Sequence, residues 1–479
     1  MSRRKKKFGP VENLEIIDAG AEGLAVGKHE DRVIFVPYVV PGDIVDVRIT
    51  RKKKSFLYGQ ATRIHNYSDK RTEPMCSHFG RCGGCKWQNM DYEYQLYFKQ
   101  KQVKDNLERI GKIDTSGMND IIPSDNIYYY RNKLEFTFSD KKWFENPDDI
   151  TDDPQKSSGL GFHLPGMFDK ILDIDTCYLQ DQLMNKIRRE VKDFAIAHEM
   201  SFYNVREQSG LLRNLIIRNT STDEWMVIVV FGKNDEADIQ GMMDHIRDTF
   251  PEITSLFFVI NPKKNDDISD LEPILFSGKS YIMEELKPHD LDHALKFKIG
   301  PLSFFQTNSL QANKLYNITL EYAGLNGNEL VYDLYTGTGS IANFVAHNAG
   351  QVIGLEYIAA AIMDAQENAK INKIENTEFY AGDLVRTLTP DFIKYKGKPD
   401  VIITDPPRAG MHPKVIRSIL EMLPARIVYI SCNPATQARD LEMLKESYKV
   451  SRIQPVDMFP HTGHVENVVQ LNRIQDQVD

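Results

Sequence analysis

No apolar run in this chain approaches the roughly 20 residues that a membrane-spanning helix needs; the longest, such as Met226 to Phe231 and Leu256 to Ile260, fall far short. Internal repeats are absent, and no low-complexity stretch occurs beyond short charge runs, which excludes solenoids, propellers and fibrous arrays. An apolar signal core is missing too. The start, Met-Ser-Arg-Arg-Lys-Lys-Lys, runs straight into polar sequence, so a cytoplasmic, reducing compartment and no membrane partner are expected. Cysteine is scarce, at five in 479 residues, and in that compartment the five are not expected to pair as disulfides.

What cysteine there is falls in two places. Cys76, Cys82 and Cys85 stand in Cys76-Ser-His-Phe-Gly-Arg-Cys82-Gly-Gly-Cys85, Cys177 joins them as a fourth, and Cys432 stands alone in Ile-Ser-Cys432-Asn-Pro. Gly83 and Gly84 let the backbone curl so that both flanking sulfurs aim at one centre. Four thiols suit a cubane [4Fe-4S] cluster or a structural zinc. The five residues between Cys76 and Cys82 are wider than the usual gap of a zinc knuckle, which ranks the cluster first. That leaves Cys432 for chemistry.

Charge of one sign is short in each half. The net charge is −9, yet residues 1–110 hold 21 Lys+Arg against 14 Asp+Glu, and the remainder 38 against 54. The basic excess peaks at Arg3 to Lys7 and Arg51 to Lys54. A basic end on an acidic body is a candidate site for a polyanion, although charge runs are more often solvated tails.

Three blocks follow along the chain, expected at residues 1–66, 67–290 and 291–479. In the first, short β-like segments around Leu14 to Ile17, Val33 to Val36 and Ile44 to Ile49 alternate with breaks at Gly20, Gly23, Gly27, Pro41-Gly42 and Gly59, the pattern of a small OB-type barrel. The second mixes a helix candidate, Tyr92 to Ile110, with strands at Leu134 to Phe138 and Trp225 to Phe231. It reads as an α+β domain with little chemistry beyond its thiols. The third alternates strand and helix: Glu329 to Tyr335, then Thr336-Gly337-Thr-Gly339-Ser340 opening a helix, Val352 to Glu356, a helix from Ala359 to Lys370, Thr377 to Tyr380, Val401 to Asp405 and Arg426 to Cys432. Such alternation predicts an α/β, doubly wound parallel sheet, whose ligands sit beyond the carboxyl ends of the strands. Tyr335, Glu356, Asp383, Asp405 and Cys432 all fall at those ends.

The Gly-x-Gly turn alone is a weak signal. It gains weight from Glu356, seventeen residues after Gly339, where an acid accepts hydrogen bonds from ribose hydroxyls. Ala342 and Asn343 stand where a pyrophosphate site would favour a third glycine, so S-adenosylmethionine ranks ahead of NAD, with Asp383 reaching the adenine amine. Each acid taken singly is more often a helix cap; the whole set in register is not. A thiolate beside a methyl donor serves alkylation at carbon: uracil C5 is not nucleophilic until a thiolate adds at C6, and a base must then take the C5 proton. Cys432 is the candidate nucleophile and Glu466, in His464-Val-Glu466-Asn, the candidate base.

With these residues in view, the chain resembles the RNA uracil-C5 methyltransferase family. The segments Gly23-Leu-Ala-Val26-Gly, Val33 to Pro37 and Pro41-Gly42-Asp43 are similar to a TRAM domain, an RNA-binding β-barrel. Phe304-Phe305-Gln306-Thr307-Asn308, Asp405-Pro406-Pro407-Arg408, Ser431-Cys432-Asn433-Pro434 and His464-Val-Glu466 match the family's elements. The resemblance is to the TRAM-containing, iron–sulfur branch typified by 23S ribosomal RNA enzymes. It implies a class I S-adenosylmethionine methyltransferase fold, Cys432 as nucleophile, Glu466 as base, and Gln306, Tyr335, Ser340, Glu356, Asp383 and Asp405 along the methyl-donor site. Ser340 departs from the asparagine usual there. It also implies cluster ligands at Cys76, Cys82, Cys85 and Cys177, and an RNA partner, ribosomal ahead of transfer RNA. A cytosine-C5 enzyme would carry a second cysteine where Arg408 stands, and an exocyclic-amine enzyme an aromatic there. A non-catalytic RNA-binding or assembly factor is the rival from another class.

Overall fold

The computed structural model describes residues 9–151 and 153–474; the basic peak at Arg3 to Lys7 lies outside them. Strands Val11–Ala19, Ala25–His29, Arg32–Val36, Ile44–Lys52 and Phe56–Asn66 close into a barrel in the order first, second, third, fifth, fourth. The period-2 pattern explains the closure. Ile34, Val36, Val45 and Val47 point inward and are fully buried, while Phe35, Arg48 and Tyr58 face out. Gly59 is required by the close approach of two strands, since a Cβ there would overlap Val47.

A seven-stranded, largely antiparallel sheet follows, in the order Ile274–Gly278, Ile253–Ile260, Trp225–Phe231, Leu212–Asn219, Lys133–Ser139, Gly159–Leu164, Met167–Asp173. Every residue of Trp225–Phe231 is buried, as a continuous apolar strand covered on both faces should be. Helices Gln182–Ala197 and Glu236–Thr249 contribute Met184, Ile187, Met242 and Ile246 to the same core. A separate two-stranded ladder, Ile282–Leu286 with Leu295–Ile299, crosses residue 290.

The last sheet runs Thr377–Ala381, Gln351–Glu356, Leu330–Leu334, Val401–Thr404, Arg426–Ser431, Glu466–Arg473, Tyr448–Val456. The first five strands are parallel and the last two join antiparallel. Strand order reverses at Leu330–Leu334, which places the ligand crevice above it. The helix Tyr92–Arg109 belongs with this sheet rather than with the sheet next to it in sequence: Val103 and Leu107 share a core with Tyr332, Ile402 and Ile427. Among the described residues, no helix is long and apolar enough to cross a membrane.

Candidate active site

The reactive residues stand just past strand ends, each held by its local turn. Cys432 follows the strand Arg426–Ser431 and precedes the helix Pro434–Leu444. Asn433 caps that helix by accepting from the Ala435 amide at 3.2 Å, while its own amide group donates to the Arg408 carbonyl at 3.0 Å. Thr436 donates to the same carbonyl at 3.1 Å. The Ser-Cys-Asn-Pro and Asp-Pro-Pro-Arg elements, 24 positions apart from Arg408 to Cys432, are thereby locked together.

Around the thiol the electrostatics oppose one another. Burial, then the neighbouring Glu466 and Asp405 carboxyls, push Cys432 up to about 11, while the Arg408 guanidinium pulls the other way by its charge and a hydrogen bond. Glu466 opens the strand Glu466–Arg473 and is buried. Burial first, then the facing Asp405, holds its carboxyl above the ordinary range, again against Arg408. Burial does the same to Asp405. His464 is kept neutral, pushed down to about 4 by burial and then by Arg408. The cation serving this pocket is therefore Arg408, a role not read from the sequence, where that residue served only to exclude rival enzymes.

Along the crevice, Tyr335, Gly337 and Gly339 have φ of 64°, 56° and 71°, a left-handed run that tightens the turn between strand and helix. The Gly337 amide donates to Glu356 Oε2 at 3.2 Å and the Ile358 amide to Oε1 at 3.0 Å, so Glu356 braces the turn and keeps further lone pairs for a ligand. Asp383 does cap a short helix, accepting from the Val385 amide at 3.0 Å. It also lines a cavity of about 730 Å³ with Tyr335, Tyr357, Pro407 and His412. The loop bearing Gln306 is brought to the Gly-x-Gly turn by Thr338, whose hydroxyl lies 3.4 Å from the Phe304 carbonyl.

Ser340 Oγ sits 3.0 Å from the hydroxyl of Tyr316, a buried residue passed over in the sequence because a tyrosine at helical spacing reads as core. Asp333 was also missed. Burial pushes it up to about 7, and the Thr336 hydroxyl donates to it at 2.5 Å. An acid inside an otherwise apolar strand was the available signal.

Far from Cys432 in sequence, the other four cysteines line one largely apolar cavity of about 420 Å³, together with Phe79, Phe162 and Ile174. Gln88 ties two of them, accepting from the Cys76 amide at 3.1 Å and donating to Cys85 Sγ at 3.2 Å. Asn185 exchanges two hydrogen bonds of 2.9 Å with the Cys177 backbone. Burial pushes Cys85 up to about 12 and Cys177 to about 11. Among the described residues, no group of three or more His, Cys, Asp or Glu side chains is arranged to hold a metal ion.

Comparison with known proteins agrees with this fold. The family profile of tRNA (uracil-5-)-methyltransferases matches residues 271–474 and that of the TRAM domain residues 5–62. An uncharacterized RNA methyltransferase of Bacteroides thetaiotaomicron is 55% identical over 456 residues, covering 94% of this chain and 99% of its own. A Porphyromonas gingivalis counterpart is 52% identical, covering 96% and 99%. Among solved structures, the Pyrococcus abyssi tRNA (uracil-54, C5)-methyltransferase in complex with S-adenosyl-L-homocysteine is similar with a TM-score of 0.73 at 29% identity, over 96% of this chain and all of that one.

Proposed function

Because the chain belongs to the S-adenosylmethionine-dependent RNA uracil-C5 methyltransferase family, we propose that it forms 5-methyluridine in 23S ribosomal RNA through a covalent bond from Cys432 to uracil C6. The observation that carries this reading is the convergence of one thiol, one guanidinium, the buried Glu466 carboxyl and the half-buried Asp405 carboxyl at the sheet's carboxyl edge. S-adenosylmethionine, when bound, supplies an electrophilic methyl on a cationic sulfur. Glu356 and Asp383 are the groups to hold its ribose and adenine, with Gln306, Tyr335, Ser340 and Asp405 along the rest of the crevice.

Cys432 adds as thiolate to C6, with Arg408 stabilising the charge, and C5 becomes nucleophilic. C5 takes the methyl as its bond to the donor sulfur breaks, leaving a neutral thioether. Glu466, as carboxylate, then removes the C5 proton, the C5–C6 double bond re-forms, and the sulfur leaves as thiolate. Asp405 beside Glu466 raises the basicity of that carboxylate, which favours proton removal.

The ribosomal reading rests on the pairing of barrel and four-cysteine group that the sequence resemblance ties to rRNA enzymes. A transfer RNA substrate is the second reading, favoured by the likeness to the Pyrococcus abyssi enzyme over almost the whole chain. Mapping 5-methyluridine in rRNA and tRNA from a deletion strain separates them. Loss from 23S rRNA alone upholds the first reading, and loss from tRNA alone replaces it with the second.

We further assign the units 1–66, 67–290 and 291–479 to RNA capture, support and methyl transfer. On the barrel's outer face Phe35 pairs with Tyr58 and Tyr58 with Arg51 across adjacent strands. Phe56 completes an aromatic trio, at 5.4 Å from Phe35 and 5.5 Å from Tyr58, and Arg51 lies 6.0 Å from the Tyr58 ring. Aromatic faces beside cations are what unpaired bases stack on. Tyr58→Ala is expected to weaken RNA binding by about 1–3 kcal/mol, and Arg51→Ala to flatten the salt dependence by roughly one counterion. Unchanged affinity and slope would make the barrel a packing module. Point substitutions are the cleaner test, because Trp87 Nε1 donates to the Gly23 carbonyl at 3.1 Å and removal of residues 1–66 would strip that contact.

We assign the four thiols, which line one cavity, to a cubane cluster ahead of a lone zinc on the wide spacing between Cys76 and Cys82; bound, it would hold Cys76, Cys82, Cys85 and Cys177 as thiolates. Anaerobically purified protein is expected to be brown, with broad absorption near roughly 400 nm and iron in metal analysis. About one zinc and no iron would reverse the ranking.

A further inference from the structure

The loop that leads into the base is shaped from outside the methyltransferase sheet. Strands Tyr448–Val456 and Glu466–Arg473 pair antiparallel up to Val456 and Glu466, yet residues 457–465 join them through a connection longer than the two to five residues typical of hairpins. Their ladder therefore does not dictate the loop's path. The loop is nonetheless almost wholly buried, and His461 within it holds a left-handed φ of 65°, a conformation that persists only where the surroundings enforce it.

The enforcement comes from helix Tyr92–Arg109. Tyr92, Gln95 and Lys99 are spaced i, i+3, i+7 and share one helix face. Gln95 and Lys99 are fully buried. Gln95 accepts from the His461 amide at 2.8 Å and donates to the carbonyls of Trp87 at 3.0 Å and Met90 at 2.8 Å. Lys99 Nζ donates to Asp457 Oδ1 at 2.6 Å and to the Phe459 carbonyl at 2.9 Å. The Tyr92 hydroxyl donates to Asp457 Oδ2 at 2.9 Å. Just upstream, the amides of Lys86 and Trp87, the residues after Cys85, both donate to the His461 carbonyl, at 2.7 and 3.0 Å. On the far side a Cβ at Gly463 would overlap the backbone of Gly23, so the barrel closes the loop from above.

We propose that Tyr92, Gln95 and Lys99 are positioning residues for proton removal: the helix that follows the cysteine group holds loop 457–465 so that Glu466 points at the substrate. The inference rests on the proposed role of Glu466. It adds that the base is aimed by a helix more than 350 residues earlier in the chain, and that the cysteine segment is mechanically joined to the same loop through Lys86 and Trp87. A displacement of about 1 Å in such a group costs on the order of 100-fold in rate.

The test uses the full-length, metal-loaded protein. In Gln95→Met, which keeps side-chain volume, kcat on uridine RNA is expected to fall tenfold or more. KM for RNA and the affinity for S-adenosylmethionine should stay within twofold, and a protein–RNA adduct should accumulate on ordinary substrate. Adduct formation on 5-fluorouridine RNA, which needs no base, should proceed at the parent rate. Equal losses in RNA binding, cofactor binding and 5-fluorouridine trapping would reduce Gln95 to a structural residue and overturn the proposal, as would an unchanged kcat. Should Gln95→Met fail to fold, Tyr92→Phe removes a single hydroxyl from the same face, and the same selective stall in release decides. Absence of a 5-fluorouridine adduct in the parent would instead reject covalent catalysis, and the kcat-against-KM split alone would then judge the clamp.

Discussion

Cys432→Ala is expected to abolish methyl transfer, with kcat/KM falling by at least about four orders of magnitude, while S-adenosylmethionine binds as in the parent. The turn of the crevice is held apart from the thiol, by Glu356 on the Gly337 and Ile358 amides. The parent, but not the variant, should form a stable adduct on 5-fluorouridine RNA, because fluorine at C5 cannot leave as a proton. Turnover by the variant near the parent rate would remove Cys432 from the mechanism. The parent's rate should also climb with pH through the neutral range. Both working groups must be unprotonated, and in the free protein burial and neighbouring carboxyls hold the thiol near 11 and Glu466 above the carboxylate range. Even with Arg408 opposing, both groups stay above their ordinary ranges, so the unprotonated fraction of each grows with pH across the neutral range. A rate that falls from pH 7 to 9 would contradict this arrangement.

Glu466→Gln separates the two half-reactions. The amide keeps the shape of the side chain but accepts no proton, so the methylated adduct should form on ordinary RNA and fail to resolve, visible as a slow-migrating protein–RNA species with turnover down by about 100- to 10,000-fold. Release at the parent rate would move the base elsewhere. The same variant carries a stability signature. Glu466 binds its proton more tightly folded than unfolded, so its contribution is fully present below the ordinary carboxylate range and is lost as pH rises through the folded value. The glutamine does not titrate, and Asp405 is relieved of a like charge. Thermal midpoints of variant and parent should coincide near pH 4 and diverge in the variant's favour by pH 8; a variant less stable than the parent at pH 8 would mean that Glu466 ionises freely.

Much of this was readable in the chain. Turn and strand patterns from Val11 to Ile64 sufficed for a barrel because inward and outward residues alternate, and the αβ alternation after Glu329 sufficed for a parallel sheet because each buried strand is a short continuous apolar run. The candidate chemistry was readable too, since Cys432, Glu356 and Asp405 each mark the end of such a run. Helix limits shifted by a residue or two, and the helix expected to Ile110 ends at Arg109.

Other features had no linear trace. The sequence determined the order of elements, the number of thiols and their division into four and one, because those depend on composition and local periodicity. Only the tertiary structure decided which groups face one another. It set Arg408 against Cys432, buried Glu466 against Asp405, ringed one cavity with cysteines from positions 76 to 177, and returned the helix Tyr92–Arg109 to the loop at 457–465 more than 350 residues later. Such contacts follow from burying several faces at once, and a charge acquires its final pKa only when water has been replaced by those particular neighbours.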